Sequence, residues 1–253
     1  MKINLSLTRL AVTHLVALVD GNSLLKARST ISLILTLGVS TSACSATMSW
    51  KEEVLLHDGK KIVVDRSYTL GGYPTLESRE RAALDETVTF SLPGTNKKII
   101  WKTDFRDSEA KPNSLNLLLL DISRGIPYIA TYPAGCIAYN KWKRPNPPYI
   151  FFKYEGNKWK RILLEKFPAE LVKANVIVGR PPTDLLKSHY TVEQVNERNY
   201  YLEKKYRIIL REPLANEGHF CPELVRDDGG WVSPGGAKAP IPITRRNPSD
   251  VKR

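Results

Sequence analysis

Residues 54–67 read VLLHDGKKIVVDRS, and this stretch decides the fold that the sequence predicts. Two segments that contain apolar residues, 54–57 and 60–67, flank Asp58-Gly59. That dipeptide supplies the positive φ angles that a two-residue hairpin turn requires. We therefore expect an antiparallel β-hairpin here, as the first unit of a β fold.

Further short strands are expected on both sides of well-marked turns. Apolar and hydroxyl side chains alternate over residues 87–92, which is typical of a half-buried strand. Residues 115–121, LNLLLLD, are apolar on both faces and predict a central strand. The remaining strands are expected at residues 99–102, 126–132, 136–142, 149–155 and 158–164, the last two around Gly156-Asn157. No helical period separates these strands, so the sheet should be antiparallel.

Helical patterns come late in the chain. Thr191 and Gln194 match a capping box, with Tyr190 and Val195 at the positions of a hydrophobic staple, so a helix should begin at Val192 and reach at least residue 199. We also expect a helical turn or two over residues 168–174, one more strand over residues 206–210, and a loop over residues 71–85. The fold class is thus mainly β (α+β), an antiparallel meander or sandwich-like sheet of about nine or ten short strands with one or two late helices.

The stretch ISLILTLGVSTSAC, residues 31–44, follows Lys26 and Arg28. Its apolar core is shorter than the roughly 20 residues that span a bilayer. A charged, then apolar, then small-residue pattern is that of a signal peptide. A buried helix is the alternative.

The end of this stretch, Thr41-Ser42-Ala43-Cys44, resembles the lipobox of bacterial lipoproteins, although Thr41 stands where leucine is usual. The resemblance implies that Cys44 is acylated and becomes the mature N-terminus, and Ser45 after it implies sorting to the outer membrane. The start CSATMSWKEE also resembles that of an uncharacterised proteobacterial lipoprotein family, which implies no known activity. An ordinary secretory leader, cut after Ala43 or Ala46, is the alternative.

Three segments are therefore expected: a signal peptide over residues 1–43, a single envelope domain over residues 44–232, and a tail rich in proline, glycine and basic residues over 233–253. A leader of 43 residues is longer than the usual 15 to 30. We accordingly expect translation to begin near residues 19–25.

The net charge of the chain is +12, from 38 basic and 26 acidic residues. Residues 1–43 contain four of the basic residues and one of the acidic ones, which leaves +9 for the exported part. Such a charge favours anionic surfaces, and its long-range field does not distinguish phospholipid from peptidoglycan or nucleic acid. The export signal argues against nucleic acid, so the expected partners are the membrane, through the lipid, and anionic envelope components. A protein partner is not indicated.

The cysteines fit an exported protein. If Cys44 carries lipid, Cys136 and Cys221 remain as a pair in a compartment where disulfides persist. The alternative is two free buried thiols.

The chain contains no phosphate loop, no serine-nucleophile elbow and no H-E-x-x-H motif. His219 and Cys221 have the spacing of two zinc ligands, but a zinc site needs three or four. A cysteine nucleophile with His189 as its base has no local signature here, and residues 227–230 fit a surface turn better than a calcium loop. We assign no catalytic residue, no metal ligand and no cofactor.

Two basic-aromatic clusters remain, residues 141–144 (KWKR) and 158–161 (KWKR). Aromatic rings between cations suit sugars and headgroups. The alternative is that each tryptophan packs into the sheet while its charged neighbours point outward, as strand alternation favours. The residues expected to face an anionic surface are Lys141, Lys143, Arg144, Lys158 and Lys160. The function indicated is an exported, lipid-anchored cell-envelope protein with a binding or structural role, in the outer membrane's periplasmic face or the soluble periplasm. The alternative is an envelope hydrolase whose site is assembled from residues distant in the sequence.

Overall fold

The computed structural model of the chain describes residues 46–72, 80–105, 114–227 and 230–234, all within the unit Ser45–Arg253. The expected leader, Cys44, and the expected tail beyond residue 234 lie outside the described residues. The fold is mainly β, as expected, with eleven strands in three sheets and a few short helices in the described part. Among these residues no helix is long and apolar enough to cross a bilayer.

The first sheet contains five strands. They are β1 (Ala46–Leu55), β2 (Lys61–Gly71), β3 (Ala82–Ser91), β4 (Lys98–Asp104) and β9 (His189–Tyr190). The order is β4-β3-β2-β1-β9; β9 runs parallel to β1, and all other pairs are antiparallel. Because β3 begins at Ala82, residues 82–85 belong to a strand, and the prediction of a loop over all of residues 71–85 was wrong for this part.

The β1–β2 hairpin has a three-residue loop rather than the expected two-residue turn. The N–H of Gly59 donates to the carbonyl of Leu56 (3.0 Å), and the N–H of Leu56 donates to the carbonyl of Lys60 (2.8 Å). Gly59 has φ +83°, a region that glycine enters without steric cost. The result is a turn closed by a left-handed glycine, in which His57 is the first of the three loop residues.

The second sheet is a four-stranded antiparallel meander. Its strands are β5 (Leu115–Ser123), β6 (Ile126–Pro133), β7 (Ile150–Glu155) and β8 (Lys158–Ile162). The β7–β8 hairpin is as expected, because Gly156 (φ +58°) and Asn157 (φ +62°) provide the two positive φ angles of a two-residue turn. Glu155 pairs with Lys158 across it.

The two sheets pack face to face around a shared apolar core. Alternate residues of each strand point into it, which is the period-two pattern of a sheet with one solvated face. The first sheet contributes Val54, Ile62, Val64, Val88, Phe90, Ile99 and Trp101, and the second contributes Leu115, Leu117, Leu120, Ile122, Ile129 and Ile150. The fold is therefore sandwich-like.

Strand β5 is buried on both faces but is not central, because it forms one edge of the second sheet. Its outer face packs under later segments of the chain: Leu118 and Leu119 share a cluster with Phe167, Leu171 and Ile209. This third layer explains why an edge strand has the composition expected of a central one.

A layer of buried charge, which the sequence analysis did not predict, crosses the first sheet. Arg66 of β2 lies between Glu52 of β1 and Glu86 of β3, and all three side chains have zero exposure. Arg66 Nε donates to Glu86 (2.7 Å) and Nη1 to Glu52 (3.3 Å). Glu52 also accepts from the indole of Trp50 (3.0 Å) and from the N–H of Ile177 (3.2 Å). The layer separates the shared core from a smaller apolar cluster around Trp50 and Tyr190.

Residues 136–142 were expected to form a strand, and that expectation was wrong. They form helix α1 (Cys136–Lys141), which follows Gly135 with φ +95°. Ala138 and Tyr139 are both buried, and two adjacent buried residues fit a helix better than an alternating strand.

Two other late segments differ from the expectation. Residues 168–174 contain no helix, and residues 206–210 contain no ladder strand. Instead the segments pair briefly with each other: the N–H of Ile209 donates to Val172 (2.8 Å) and that of Ala174 to Arg207 (2.9 Å). Their backbone groups are satisfied by this pairing while they cover the second sheet.

The capping-box prediction is confirmed. Helix α2 (Val192–Asn199) has Thr191 as its N-cap, and Thr191 and Gln194 exchange reciprocal hydrogen bonds. Tyr190 and Val195 lie in the same apolar cluster, as a staple requires. A one-turn helix, α3 (Lys204–Arg207), follows. Two 3₁₀ turns occur at Leu164–Lys166 and Thr183–Leu185.

The disulfide prediction is also confirmed. Cys136 and Cys221 are bonded, with their Cα atoms 5.1 Å apart, inside the range that a disulfide can bridge. The bond ties α1 to the segment before a small hairpin, β10 (Val225–Asp227) and β11 (Gly230–Val232), in which Asp227 pairs with Gly230. Of the surface turn expected at residues 227–230, residues 228 and 229 lie outside the described residues.

Candidate functional site

His57 is joined to Asp121, a residue 64 positions later in the chain. Nδ1 of His57 lies 2.8 Å from Oδ1 of Asp121, and the backbone N–H of His57 donates to Oδ2 (2.9 Å). The N–H of Ile122 also donates to Oδ1 (2.7 Å). A carboxylate only accepts, so Nδ1 carries a hydrogen, and Nε2 is the acceptor of the neutral ring.

Asn175 holds the strands that carry this pair. Its amide oxygen accepts from the N–H of Leu120 (3.0 Å), and its amide nitrogen donates to the carbonyls of Leu120 (2.8 Å) and Leu55 (3.0 Å). The side chain thus occupies part of the edge of β5, and it links β5 to the end of β1. The position of His57 against Asp121 is fixed from both sheets.

A cavity of about 240 Å³ opens beside the pair. Its lining includes both aliphatic and polar residues. The aliphatic residues are Leu55, Leu56, Val172, Ala174, Val192 and Val195, and the polar ones are His57, Asp121, Glu170, Lys173, Asn175 and Asn196. No serine, threonine or cysteine is among these described lining residues. Concave, largely apolar surfaces with a few convergent polar groups are typical of small-molecule sites.

Glu170 contributes a carboxylate to the rim of this cavity. Its pKa is lowered, chiefly by a hydrogen bond from its own backbone N–H and then by the hydroxyl of Ser123 (2.8 Å); the nearby His57 and Arg124 contribute less. A second concavity of about 430 Å³, with Lys60 and Arg124 in its lining, also includes His57. The imidazole therefore borders two open spaces.

The predicted basic-aromatic clusters meet in space, though not on neighbouring strands. Residues 141–144 lie at the end of α1, and residues 158–161 lie in β8. The guanidinium of Arg161 is 5.1 Å from the centre of the Trp142 ring, and that ring contacts Phe152 edge-on. We call the surface formed by Trp142, Lys143, Trp159 and Arg161 the basic-aromatic surface. Lys158 lies on the opposite face of β8 from Trp159 and Arg161, since side chains alternate along a strand.

Two of the expected anion-binding residues serve the fold instead. Arg144 donates to the carbonyls of Gly218 (2.9 Å) and Cys221 (3.0 Å), which holds the disulfide segment. Lys141 lies over the ring of Trp231, 5.7 Å from its centre. Lys160 is paired with Glu155 (2.8 Å). Lys143 and Lys158 are exposed, and their binding role stays a prediction.

Glu155 is the acidic neighbour of this surface. Hydrogen bonds from Lys160 and then Lys153 lower the pKa of its carboxyl group to about 2. Lys97, which the sequence analysis did not single out, donates to Asn157 (2.6 Å) from 60 positions away and adds a cation beside the β7–β8 turn. Its position in Lys97-Lys98, just after a turn, was the available sequence signal.

The disulfide removes two chemical alternatives. Cys221 cannot act as a thiolate ligand beside His219, and neither Cys136 nor Cys221 is available as a nucleophile for His189. Within the described ranges no group of three or more histidine, cysteine, aspartate or glutamate side chains is arranged to hold a metal ion. Comparison with models of protein families, with curated protein sequences and with solved structures finds no match for this chain.

Proposed function

We propose that this chain is an exported cell-envelope protein, anchored by lipid on Cys44 in the periplasmic face of the outer membrane, that binds anionic envelope material. The observation that carries the proposal is the disulfide between Cys136 and Cys221, because disulfides persist in oxidising compartments. The charged, then apolar, then small-residue pattern of residues 26–44 supports the same cellular location.

The binding role is supported by the basic-aromatic surface. Lys143 and Arg161 are exposed there, and the indole of Trp159 is held by a hydrogen bond to the carbonyl of Ile100 (2.8 Å). Cations fixed beside rigid aromatic rings attract phosphate and carboxylate groups at a surface. The chemistry shared by the candidate ligands is an array of anionic groups, as in phosphatidylglycerol or peptidoglycan.

The anchor is tested by labelling the chain with an alkyne analogue of palmitate in a Gram-negative host. The wild type should carry the label in the membrane fraction, and Cys44→Ser should not. Label that persists in Cys44→Ser, or a wild type that is unlabelled and freely soluble, would overturn the anchor.

The binding surface is tested by co-sedimentation of the processed protein with vesicles containing phosphatidylglycerol. Lys143→Glu with Arg161→Glu should weaken binding about tenfold or more at low salt, since each lysine or arginine near an anionic membrane contributes about 1 kcal/mol. The control Lys166→Glu with Lys187→Glu makes the same change of charge at exposed positions elsewhere. Equal losses in the two variants would mean that net charge alone acts. Insoluble peptidoglycan in place of vesicles identifies the source of the anions.

A second candidate function, an envelope hydrolase, is favoured by one observation. His57 and Asp121 are distant in the sequence, yet they hydrogen bond at the wall of a cavity. An envelope hydrolase whose site is built from residues distant in the sequence requires such an arrangement.

A further inference from the structure

His57 combines three properties that proton transfer requires. Its ring is oriented through Nδ1 by a carboxylate whose side chain is 4% exposed, while 27% of its own side chain remains exposed. It lines a cavity large enough for a small organic molecule. A histidine oriented in this way by an aspartate presents Nε2 as a base.

The cavity itself limits the chemistry. Because no serine, threonine or cysteine lines it among the described residues, the nucleophile that Nε2 could activate there is water. Its aliphatic lining residues, such as Val172 and Val195, suit a short hydrocarbon chain. The carboxylate of Glu170 on the rim repels an anionic product.

We infer that His57 is the general base of a site that hydrolyses short-chain carboxylic esters with water as the nucleophile, an inference that rests on the second proposed function. Nε2 takes a proton from water as the water oxygen bonds to the acyl carbon. The ester C–O bond then breaks, and the proton on Nε2 passes to the leaving alkoxide. The products are a carboxylic acid and an alcohol, so no other reactant is required.

Other residues have supporting roles. Asp121 is a positioning residue, since its hydrogen bond to Nδ1 selects the tautomer in which Nε2 is the acceptor. Lys173 and Asn196 carry the side-chain donors that could stabilise the developing oxyanion. The amide nitrogen of Asn175 already donates to two backbone carbonyls.

The inference is tested with p-nitrophenyl butyrate and the processed, folded protein. Hydrolysis should saturate with substrate, and His57→Gln should lower kcat/KM by about 100-fold or more, as removal of a general base does. The control His189→Gln removes an exposed histidine and should leave kcat/KM unchanged. Asp121→Asn should lower kcat while KM stays the same, which loss of structure alone would not produce.

A second variant guards against misfolding of His57→Gln. Val172 lines the cavity but is 41% exposed, so Val172→Phe can narrow the cavity without burying a larger side chain in the core. It should raise KM at least several-fold, whereas Val63→Phe, at an exposed position of the first sheet, should not. Thermal melting of each variant verifies that it is folded.

The uncleavable amide N-butylbutyramide separates the two possible failures. If calorimetry detects binding of the amide but the wild type shows no saturable ester hydrolysis, the catalytic role of His57 is overturned and the cavity remains a ligand site. If neither binding nor hydrolysis is found, both this inference and the hydrolase proposal are overturned. Full activity in folded His57→Gln would overturn the role of His57 alone.

Discussion

The guanidinium of Arg66 and the carboxylate of Glu52 form an ion pair between adjacent strands with both side chains fully buried, Nη1 lying 3.3 Å from Oε1. Removing two such charges from water costs several kcal/mol for each ion. Here the cost is offset by further contacts, because Arg66 also pairs with Glu86 and donates to the carbonyl of Ile177. The layer is thus stable only while all its members are present.

Arg66→Met should destabilise the protein by about 3–5 kcal/mol, because the substitution leaves two carboxylates buried without their cation. The control is Lys51→Met, which breaks the exposed pair with Asp65 (3.5 Å) and should cost less than about 1 kcal/mol. Urea unfolding measures both free energies. Similar losses in the two variants would contradict a special role for the buried layer.

The buried layer also predicts a dependence of stability on pH. Burial, more than any other cause, raises the pKa of Glu52 above 4.5, although Arg66 opposes it. The folded state therefore binds this proton more tightly than the unfolded state. The stabilising contribution is complete below pH 4.5 and is lost as pH rises through the folded pKa. The unfolding free energy of the wild type minus that of Glu52→Gln should accordingly decrease between pH 4 and pH 8.

The contribution of Glu155 to stability is expected to depend on pH in the opposite direction. Its pKa is lowered to about 2 by Lys160 and Lys153, so its contribution is present above pH 4.5 and is lost as pH falls through 2. The unfolding free energy of the wild type minus that of Glu155→Gln should decrease as the pH is lowered, whereas the corresponding difference for Glu52→Gln should increase. Trends of the same sign in both variants would contradict the assignment.

Loss of the disulfide should destabilise the protein substantially. Cys136 and Cys221 are 85 positions apart, and closing a loop of that length in the unfolded chain is worth about 4 kcal/mol in the chain-entropy model. Cys136→Ala with Cys221→Ala should show this loss in urea unfolding. A reducing agent should produce a similar loss in the wild type and none in the variant.

Trp159 joins the edges of the two sheets, because its indole in β8 donates to the carbonyl of Ile100 in β4 (2.8 Å). It is half-buried and packs against the shared core. Trp159→Ala should therefore cost about 2 kcal/mol, less than the 3–5 kcal/mol typical of a fully buried tryptophan. Lys158→Ala, at the adjacent exposed position, should change stability by no more than about 0.5 kcal/mol. Thermal melts that show equal effects would count against the bridging role.

The sequence by itself determined those features that depend on neighbouring residues. Gly156-Asn157 specifies a hairpin because both residues accept positive φ, and Thr191 with Gln194 specifies a helix start because their groups lie one turn apart. The alternation around Val88 and Phe90 indicates which strand face is buried. The cysteine pair followed from parity and the expected compartment. The turn, helix-cap and strand patterns each lie within a few residues, and the disulfide required only a count of the cysteines that remain after Cys44.

Only the tertiary structure decided which distant segments become neighbours. It made residues 136–141 a helix by burying Ala138 beside Tyr139, and it covered β5 with a third layer although β5 is an edge strand. It also brought His57 to Asp121. Charged and polar side chains can be buried where hydrogen bonds or ion pairs with residues of other strands compensate for the lost water. A local sequence pattern does not indicate such a partner when it lies many positions away. For that reason neither the pairing of His57 with Asp121 nor the buried charge layer could be predicted from the sequence.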